Sequence, residues 1–330
     1  MLRPLKLKIQ RAPLPAGPAA SDLPIASIWV DSGISTLSEP FSYLIPEKLS
    51  SQIKVGSRVQ VPFKDKHVEG LVISRSAISP ESRELKSIYK LLGEFPVANE
   101  ETLQLISLTA SYWGGSPYDV IRSAIPPRVA AAEKALAVEP SKTITSNNSE
   151  ATFHLLPPRI NPIAALVSLV TNSKSSGAKL VIVPTVRELD RLIVALTEAV
   201  VDFRSLDSNQ PRADRYRNFL EASLGSTNLV IGMRGAIFAP IPNLAEIYLH
   251  QENSEHYYER RAPHWNTREV AWLRSKLSNL SLHLTGYVPS LDVAIDIDEK
   301  EILYLASREK ISVIAQPSSN GELIPSKIYQ

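Results

Sequence analysis

The chain has 330 residues, of which 44% are hydrophobic, and its formal net charge is only +2. It contains no cysteine, which excludes disulfides, thiolate zinc sites and cysteine nucleophiles. No segment approaches the roughly 18 continuous apolar residues of a membrane span, and the length suits about two domains.

The small positive charge lies in the N-terminal part of the chain. Residues 1–130 carry 15 Lys and Arg against 12 Asp and Glu, whereas residues 151–330 carry 19 of each kind. A bias of this size is only a weak indication of a nucleic-acid partner, because solvated surfaces often have the same charge. Residues 1–22 join basic side chains to a Pro/Ala-rich run, and we predict a disordered basic arm there.

Short β-strands dominate the next part of the sequence. Alternating apolar residues between turn residues predict five strands, at 25–30, 41–45, 55–63, 67–74 and 86–92. Two helices follow, one starting after Asn99 and the other after Ser116, both of which are good capping residues. Residues 23–128 are therefore predicted to form a small β-barrel-like domain, mostly β plus two helices.

The pattern changes to α/β after a segment without strand character. Residues 129–151 are rich in Ala, Glu, Ser and Asn, and we predict that they form a linker. Over residues 152–295, strands alternate with helices, which indicates a parallel sheet covered on both faces. The overall class is therefore α/β, and residues 296–330 form a C-terminal extension that would begin a truncated second lobe.

The α/β part lacks the motifs of a nucleotide-driven motor. A phosphate-binding loop needs glycines and a lysine, whereas the run from Leu155 to Pro162 reads LLPPRINP. The strand that ends at Leu249 continues into His250-Gln251-Glu252-Asn253, where a motor would place an Asp-Glu pair for magnesium and water. His250 and His256 match no common metal-ligand spacing, so the sequence predicts no catalytic residue, no metal site and no bound cofactor.

Several segments nevertheless resemble, in one order, the primosomal replication-restart (PriA) family of superfamily 2 DNA helicases. The runs FSYLIP from Phe41, VGSRVQVPF from Val55 and VEGLV from Val68 resemble the DNA 3′-end-binding domain of that family. The run VIGMRGAIFAP from Val230 resembles part of its first helicase lobe. The resemblance covers roughly residues 25–295 and implies a RecA-like parallel-sheet helicase lobe after the N-terminal domain.

The chain also departs from that family. The phosphate-binding loop is absent, the Asp-Glu-x-His motif is replaced by residues 250–253, and the Ser-Ala-Thr motif by Gly286-Tyr287-Val288. The second lobe and the cysteine zinc module have no counterpart, and residues 128–152 leave no room for a winged helix. These departures resemble degenerate actinobacterial forms of the family that lack helicase motifs. They imply that the ATP, magnesium and zinc of the family are not used here.

The resemblance also implies a binding site for a DNA 3′ end. The family surrounds the terminal nucleotide with an aromatic residue, an acid, a glycine and a lysine. Phe41 and Lys86 match the aromatic residue and the lysine, whereas Ser42 stands at the acid position and Lys64 at the glycine position. Phe41 would stack on a base and Lys86 would meet a phosphate, unless Phe41 is a core residue and Lys86 an ordinary surface residue.

Two arginines are further candidates for contacts with DNA. They are Arg58, in the N-terminal domain, and Arg234, in the α/β domain. The implied function is recognition of abandoned replication forks and nascent 3′ ends, in the cytoplasm and at the nucleoid, without helicase or ATPase activity. The implied partners are forked or recessed-end DNA, primosome proteins, the replicative helicase-loading machinery and single-stranded DNA-binding protein, with no membrane.

Two other functions are compatible with the sequence. One is a residual DNA-stimulated ATPase or helicase that uses Arg159 and Glu252. The other is a protein-interaction scaffold that does not bind DNA.

Overall fold

The N-terminal part of the chain forms a five-stranded antiparallel sheet with the strand order β2-β1-β4-β3-β5. The computed structural model describes residues 17–78, 84–134, 136, 150–296 and 302–304. The strands are β1 (Ile25–Val30), β2 (Phe41–Leu44), β3 (Arg58–Phe63), β4 (Lys66–Ser76) and β5 (Lys90–Leu91). They confirm the five strands predicted from the sequence, because alternate residues face a shared apolar core.

The segment that ends in β5 closes this sheet into a barrel-like shape. The Leu44 amide donates to the carbonyl oxygen of Lys86 at 2.9 Å, and the Ile88 amide donates to that of Leu44 at 2.9 Å. Three residues later the same segment pairs with β3, at the opposite edge of the sheet. One segment therefore satisfies backbone groups at both edges, which leaves the sheet curled around Ile28, Val61 and Ile88.

The predicted basic arm lies mostly outside the described residues, but its end belongs to the fold. The Ala20 amide donates to the carbonyl oxygen of Ile45 at 2.8 Å, and Ala20 is buried. The Glu47 amide donates to the carbonyl oxygen of Pro18 at 2.9 Å. Disorder was predicted up to residue 22, and the difference arises because residues 18–21 bond to the chain that follows β2.

Three helices follow the barrel: α1 (Glu100–Tyr112), α2 (Pro117–Ala124) and α3 (Ala130–Lys134). Asn99 caps α1 by accepting from the Thr102 amide at 2.8 Å, which confirms the start predicted for that helix. The third helix lies in the predicted linker. It is held there by the buried carboxylate of Glu133, which accepts from the Tyr216 hydroxyl at 2.7 Å and from the Arg128 guanidinium at 2.6 Å.

The remaining described residues form a seven-stranded sheet covered by helices on both faces. In chain order its elements are β6 (Ala151–Leu155), α4 (Pro162–Asn172), β7 (Ala178–Ile182), α5 (Val186–Glu198), β8 (Arg204–Leu206), α6 (Arg212–Ser223), β9 (Leu229–Gly232), β10 (Leu244–His250), α7 (Thr267–Ser278), β11 (Ser281–Gly286), α8 (Leu291–Asp296) and β12 (Ile302–Tyr304). The strand order is β12-β6-β11-β10-β7-β9-β8, and every pair is parallel.

This sheet confirms the predicted parallel α/β architecture of the second part of the chain. The crossover helices lie on the two faces of the parallel sheet, as right-handed connections require. Strand β12 comes from the predicted C-terminal extension, yet its backbone pairs with β6 and extends the same sheet. In the part of the chain that the structure describes, no helix is both long and apolar enough to cross a membrane.

The two faces of the parallel sheet have different neighbours. Val181 and Ile231 pack against α4 and α5. On the other face, Ile182 belongs to a core that continues through α6 and α7 into α1 and α2, where Leu105 and Tyr118 are members. The barrel is therefore attached to the α/β lobe by a shared apolar core rather than by a chain connection alone.

A buried arginine lies at the centre of this attachment. Arg274, on α7, is fully buried. Its guanidinium donates to the Glu101 carboxylate of α1 at 2.9 Å and to the carbonyl oxygens of Ile237 and Ala239 at 2.6 and 3.0 Å. A buried guanidinium is tolerated only where its donors are satisfied, so this contact joins α1, α7 and the turn that precedes β10.

We expect Arg274→Leu to lower the free energy of unfolding by about 3 kcal/mol, because it leaves two buried carbonyl groups without donors and removes the partner of Glu101. Urea denaturation followed by circular dichroism measures this change. The control is Arg217→Leu, which removes a surface pair with Asp214 and should cost less than about 1 kcal/mol. Equal losses in the two variants would show that Arg274 does not join the elements.

Candidate functional site

A cavity of about 470 Å³ opens on the N-terminal barrel. It contains all four of the residues predicted to contact a DNA 3′ end. Its lining residues are Phe41, Ser42, Tyr43, Pro62, Phe63, Lys64, Glu84, Leu85 and Lys86. Residues that are more than 40 positions apart in the sequence thus meet at one place, because the segment that closes the barrel lies beside β2.

Phe41 is half-buried on one wall of the cavity. Its ring packs edge-on against Phe63, with the ring centroids 5.3 Å apart and the ring planes at 76°. The contact holds Phe41 in place while part of the ring stays accessible, so the residue belongs neither wholly to the core nor wholly to the surface. A ring held in this way can stack on a base without a large loss of side-chain entropy.

Two exposed lysines stand at the rim. Lys86 is carried by the segment that pairs with β2, and its side chain is exposed. Lys64 occupies the two-residue turn between β3 and β4 with a φ of +52°. Glycine adopts this left-handed conformation more easily than other residues do. That preference accounts for the glycine of the resembled family at this position, which the lysine replaces while keeping the turn.

Besides Tyr43, two further side chains with oxygen atoms line the cavity, Ser42 and Glu84. Ser42, at the predicted acid position, is only 8% exposed. Glu84 lines the same cavity and is exposed, so a carboxylate is present although it does not come from position 42. The sequence reasoning missed Glu84 and Phe63, because neither stands at a position that the family motif assigns to the pocket.

The structure corrects the prediction for Arg58. Its side chain is only 5% exposed and forms an ion pair with Glu69 at 3.2 Å. The guanidinium also donates to the carbonyl oxygen of Pro126 at 2.9 Å. Arg58 therefore connects the barrel to the chain after α2 and is not placed to contact DNA. Arg234 is 40% exposed, bonds to Glu259 at 3.0 Å and lines a different cavity.

Residues 250–253 lie at the carboxyl end of β10, in the middle of the parallel sheet. His250 is fully buried, and its Nδ1 lies 2.8 Å from the Thr285 hydroxyl oxygen. Glu252 is 2% exposed and accepts from the Ser290 amide at 2.6 Å and from the Arg268 guanidinium at 3.3 Å. Glu252 is thus bonded within the protein, whereas the Nε2 atom of His250 is buried without a hydrogen-bond partner among the described residues.

At the start of α4, the backbone amides are likewise hydrogen-bonded within the protein. The Asn161 side chain accepts from the amides of Ile163 and Ala164 at 3.0 and 3.3 Å, and Pro162 has no amide hydrogen to offer. In a phosphate-binding loop these first amides of the helix would point at the ligand. Among the described residues, no group of three or more potential metal ligands is arranged around a common centre.

Two buried histidines of the sheet have pKa values below the usual value for a histidine. Burial lowers the pKa of His250 to about 4. Burial, followed by the neighbouring ring of His283, also lowers the pKa of His154 to about 4. Each histidine is therefore neutral in the folded protein under conditions in which an unfolded chain already binds a proton.

The residues of the barrel match a known domain family. Residues 27–126 match the family model described as the 3′ DNA-binding domain (3′BD) of PriA. Over 277 residues the chain is 29% identical to the probable replication restart protein PriA of Mycobacterium tuberculosis, covering 76% of this chain and 42% of the relative. Over 294 residues it is 23% identical to the replication restart protein PriA of Rickettsia conorii, covering 82% of this chain and 44% of the relative.

The chain thus spans less than half the length of the curated relatives it matches. Among solved structures, the E. coli DEAD-box protein SrmB bound to the regulator of ribonuclease activity A is 12% identical, with a TM-score of 0.36. That match covers 52% of this chain and 100% of the other. The protein RecG bound to a three-way DNA junction is also 12% identical, with a TM-score of 0.32, over 62% of this chain and 29% of the other.

We expect the free energy of unfolding to fall as the pH is lowered from about 6.5 to 5, because the unfolded chain binds protons at His154 and His250 that the folded protein excludes. Each histidine contributes up to about 1.4 kcal/mol per pH unit in this range. His250→Gln should remove one of the two contributions. Urea denaturation at a series of pH values measures the slope.

The matched control is His256→Gln, which replaces an exposed ring and should keep the slope of the unaltered protein. A slope that His250→Gln leaves unchanged would contradict the assignment.

Proposed function

We propose that the chain acts as a member of the PriA family of replication restart proteins and that it binds free 3′ ends of DNA in the cavity formed by Phe41, Lys64 and Lys86. One observation carries this proposal. A single cavity, within the residues that match the 3′ DNA-binding domain, contains an accessible aromatic ring and two exposed lysines. These are the groups that a terminal nucleotide needs, one for its base and the others for its phosphates.

Stacking and phosphate contacts would hold a nucleotide in the cavity, and Glu84 would favour a terminal one. Stacking of a base on an aromatic ring contributes about 1–3 kcal/mol, and a lysine contact to a phosphate adds a salt-dependent attraction. Glu84, which is exposed at the same cavity, can accept a hydrogen bond from a 3′-hydroxyl group. A 3′-phosphate would instead bring negative charge towards this carboxylate, so the cavity would select a free hydroxyl.

We propose that the α/β lobe acts without ATP hydrolysis. Catalysis of phosphoryl transfer needs a phosphate cradle and an acidic group for magnesium and water. Here the first amides of α4 are capped by Asn161, and His250 stands in place of the first acid. Glu252 is buried in contacts with Arg268 and Ser290, which also disfavours the alternative of a residual ATPase based on Arg159 and Glu252.

The biological role that we propose is replication restart at abandoned forks. In this role the protein would bind forked or recessed-end DNA and help to assemble the primosome, together with the helicase-loading machinery and single-stranded DNA-binding protein. A scaffold that does not bind DNA is the remaining alternative. It gives no reason for a cavity that presents two lysines beside an accessible ring.

We expect the protein to bind a recessed duplex with a free 3′-hydroxyl more tightly than the same duplex with a 3′-phosphate. Lys86→Ala should weaken binding to the free end about tenfold and reduce its dependence on salt, because one charge-assisted phosphate contact is lost. Fluorescence anisotropy over a range of salt concentrations measures both effects.

The control for this experiment is Lys90→Ala. It removes the same charge from an exposed position of β5 that does not line the cavity, and it should have a much smaller effect. If the two variants bind equally, or if the unaltered protein ignores the 3′-hydroxyl, the cavity is not a 3′-end site.

We expect no release of phosphate from ATP above background, with or without forked DNA. Phosphate release by the unaltered protein and by Glu252→Gln, purified in the same way, is the measurement. Equal background rates are the expected result. A DNA-stimulated rate that Glu252→Gln abolishes would establish the residual ATPase and overturn the proposal.

A further inference from the structure

A cavity of about 620 Å³ lies on one face of the parallel sheet, beside α4. Three strands form its polar wall, with His154 on β6, Glu246 and Tyr248 on β10, and His283 on β11. Glu246 stands four residues before the end of β10, which is about 13 Å along the strand. The cavity is therefore separate from the carboxyl end of β10 and from the cavity on the barrel.

The opposite wall of this cavity is mainly apolar. It includes Ala164, Ala165 and Leu169 of α4 and Ile160, which precedes that helix. The two alanines have small side chains, so they leave space between the helix and the sheet. An apolar wall that faces a few converging polar groups is the usual construction of a site for a small molecule.

The polar wall contains a buried carboxylate. Glu246 is 8% exposed and accepts from the Ser173 hydroxyl at 2.7 Å and from the Tyr248 hydroxyl at 2.9 Å. Burial acts to raise the pKa of Glu246, but interactions with His283, Ser173 and Tyr248 outweigh it and lower the pKa to about 2. The carboxyl group is therefore ionised at neutral pH and places a negative charge in the cavity.

No lysine or arginine forms an ion pair with this carboxylate in the part of the chain that the structure describes. Lys179 is in register with Glu246 on the neighbouring strand β7, yet its ammonium group donates to the Val170 carbonyl oxygen at 2.9 Å. The Nε2 atom of His283 is 3.8 Å from a Glu246 oxygen, which is too far for a hydrogen bond. Because buried charges are normally paired, a cation that enters the cavity would offset the desolvation of Glu246.

The two histidines add hydrogen-bonding atoms to the same wall. His154 Nε2 lies 3.1 Å from His283 Nδ1, so one ring donates to the other. The remaining atoms, His154 Nδ1 and His283 Nε2, are buried without a hydrogen-bond partner among the described residues. When His283 donates from Nδ1, its Nε2 is an acceptor beside the carboxylate, and a ligand with two N–H groups can donate to both.

The position of these acceptors is fixed by packing. The ring of His283 stacks on that of Tyr248, with the ring centroids 4.6 Å apart and the ring planes at 21°. The Tyr248 hydroxyl in turn holds the Glu246 carboxylate. The acceptor pair is thus arranged before any ligand binds, which lowers the entropy cost of binding.

We propose that this cavity binds a small organic monocation with a planar amidinium or guanidinium group. The planar group would donate to Glu246, and the apolar body of the ligand would pack against Ala165 and Leu169. Planar N–H groups match a carboxylate in geometry and shed water more easily than an ammonium group does. A single carboxylate without a lysine or arginine partner favours one positive charge on the ligand. The inference goes beyond the proposed function, because it requires neither DNA nor the barrel.

The test compares benzamidine with benzamide, which has nearly the same shape but no charge. Ligand-observed saturation-transfer NMR with the whole chain, at constant ionic strength, gives the two dissociation constants. We expect benzamidine to bind about tenfold more tightly than benzamide, because a charge-assisted hydrogen bond is stronger than a neutral one. A bound ligand should also raise the thermal unfolding midpoint.

Two variants locate the site. Glu246→Gln keeps the size of the side chain but removes its charge, so it should weaken benzamidine binding about tenfold and change benzamide binding less than about twofold. Ala165→Leu fills the cavity from α4 without altering Glu246, and leucine is also a good helix former. This variant should weaken the binding of both ligands.

The matched control is Glu255→Gln. Glu255 is an exposed carboxylate that does not line the cavity, so its neutralisation should change both affinities less than about twofold. Thermal unfolding without ligand checks that each variant is folded. If Glu246→Gln does not fold, the preference of the unaltered protein for benzamidine and the loss in Ala165→Leu still decide the question.

The proposal is supported if the preference for benzamidine disappears in Glu246→Gln and both ligands bind more weakly to Ala165→Leu. It is overturned if the unaltered protein binds neither ligand or binds both equally. It is also overturned if Glu246→Gln retains the preference, or if Ala165→Leu binds both ligands as the unaltered protein does. Displacement of benzamidine by magnesium chloride at constant ionic strength would instead indicate an inorganic cation and overturn the assignment to an organic one.

Discussion

Arg274 holds together parts of the molecule that are otherwise separate in the chain. Its guanidinium bonds to Glu101, which is 173 residues away in sequence, and to two carbonyl groups of the turn that precedes β10. A buried charge of this kind is tolerable only with its full set of partners, so α1, α7 and the turn must keep their relative positions. The apolar core that surrounds the contact extends from the barrel side into the α/β lobe. Both cavities therefore belong to one continuous body rather than to two loosely tethered domains.

The cavity on the barrel depends in turn on how the antiparallel sheet closes. The segment that carries Glu84 and Lys86 bonds to β2 at one edge and continues into β5 at the other. Without that closure, Lys86 would have no fixed relation to Phe41. The position of the cavity is thus set by backbone hydrogen bonds, and Phe41 and Phe63 also pack against the barrel core.

In the α/β lobe, the sheet itself and the polar side chains near its strand ends depend on different contacts. Its parallel strand order depends on apolar residues such as Ile182 and Leu249, which lie inside the sheet. The polar side chains in this region form hydrogen bonds within the protein. Asn161 caps α4, His250 contacts Thr285, and Glu252 is bonded to Arg268 and Ser290. The residues that build the sheet and those at its carboxyl edge are thus different sets, as is usual for a fold and a site.

The sequence by itself determined the elements whose residues repeat with a clear period. Alternating apolar residues identified the barrel strands, and capping residues such as Asn99 located the helix starts. The motif resemblance also identified Phe41, Ser42, Lys64 and Lys86 as candidate site residues, and the structure brings all four to one cavity. The sequence alone did not identify α3, because its short helical segment lies in an Ala-rich stretch with no periodic pattern. That helix is stable only where Glu133 meets Arg128 and Tyr216.

Only the tertiary structure decided which of the polar side chains are available to a ligand. Arg58 is a candidate for DNA contact in the sequence and Arg274 carries no motif, yet both are buried because their partners come from distant segments. Glu246 and His283 carry no motif either, yet they converge on one cavity. The physical reason is that charge and burial are set by contacts between residues far apart in the chain. Local periodicity records which face of an element is apolar, but it does not record what that element will meet.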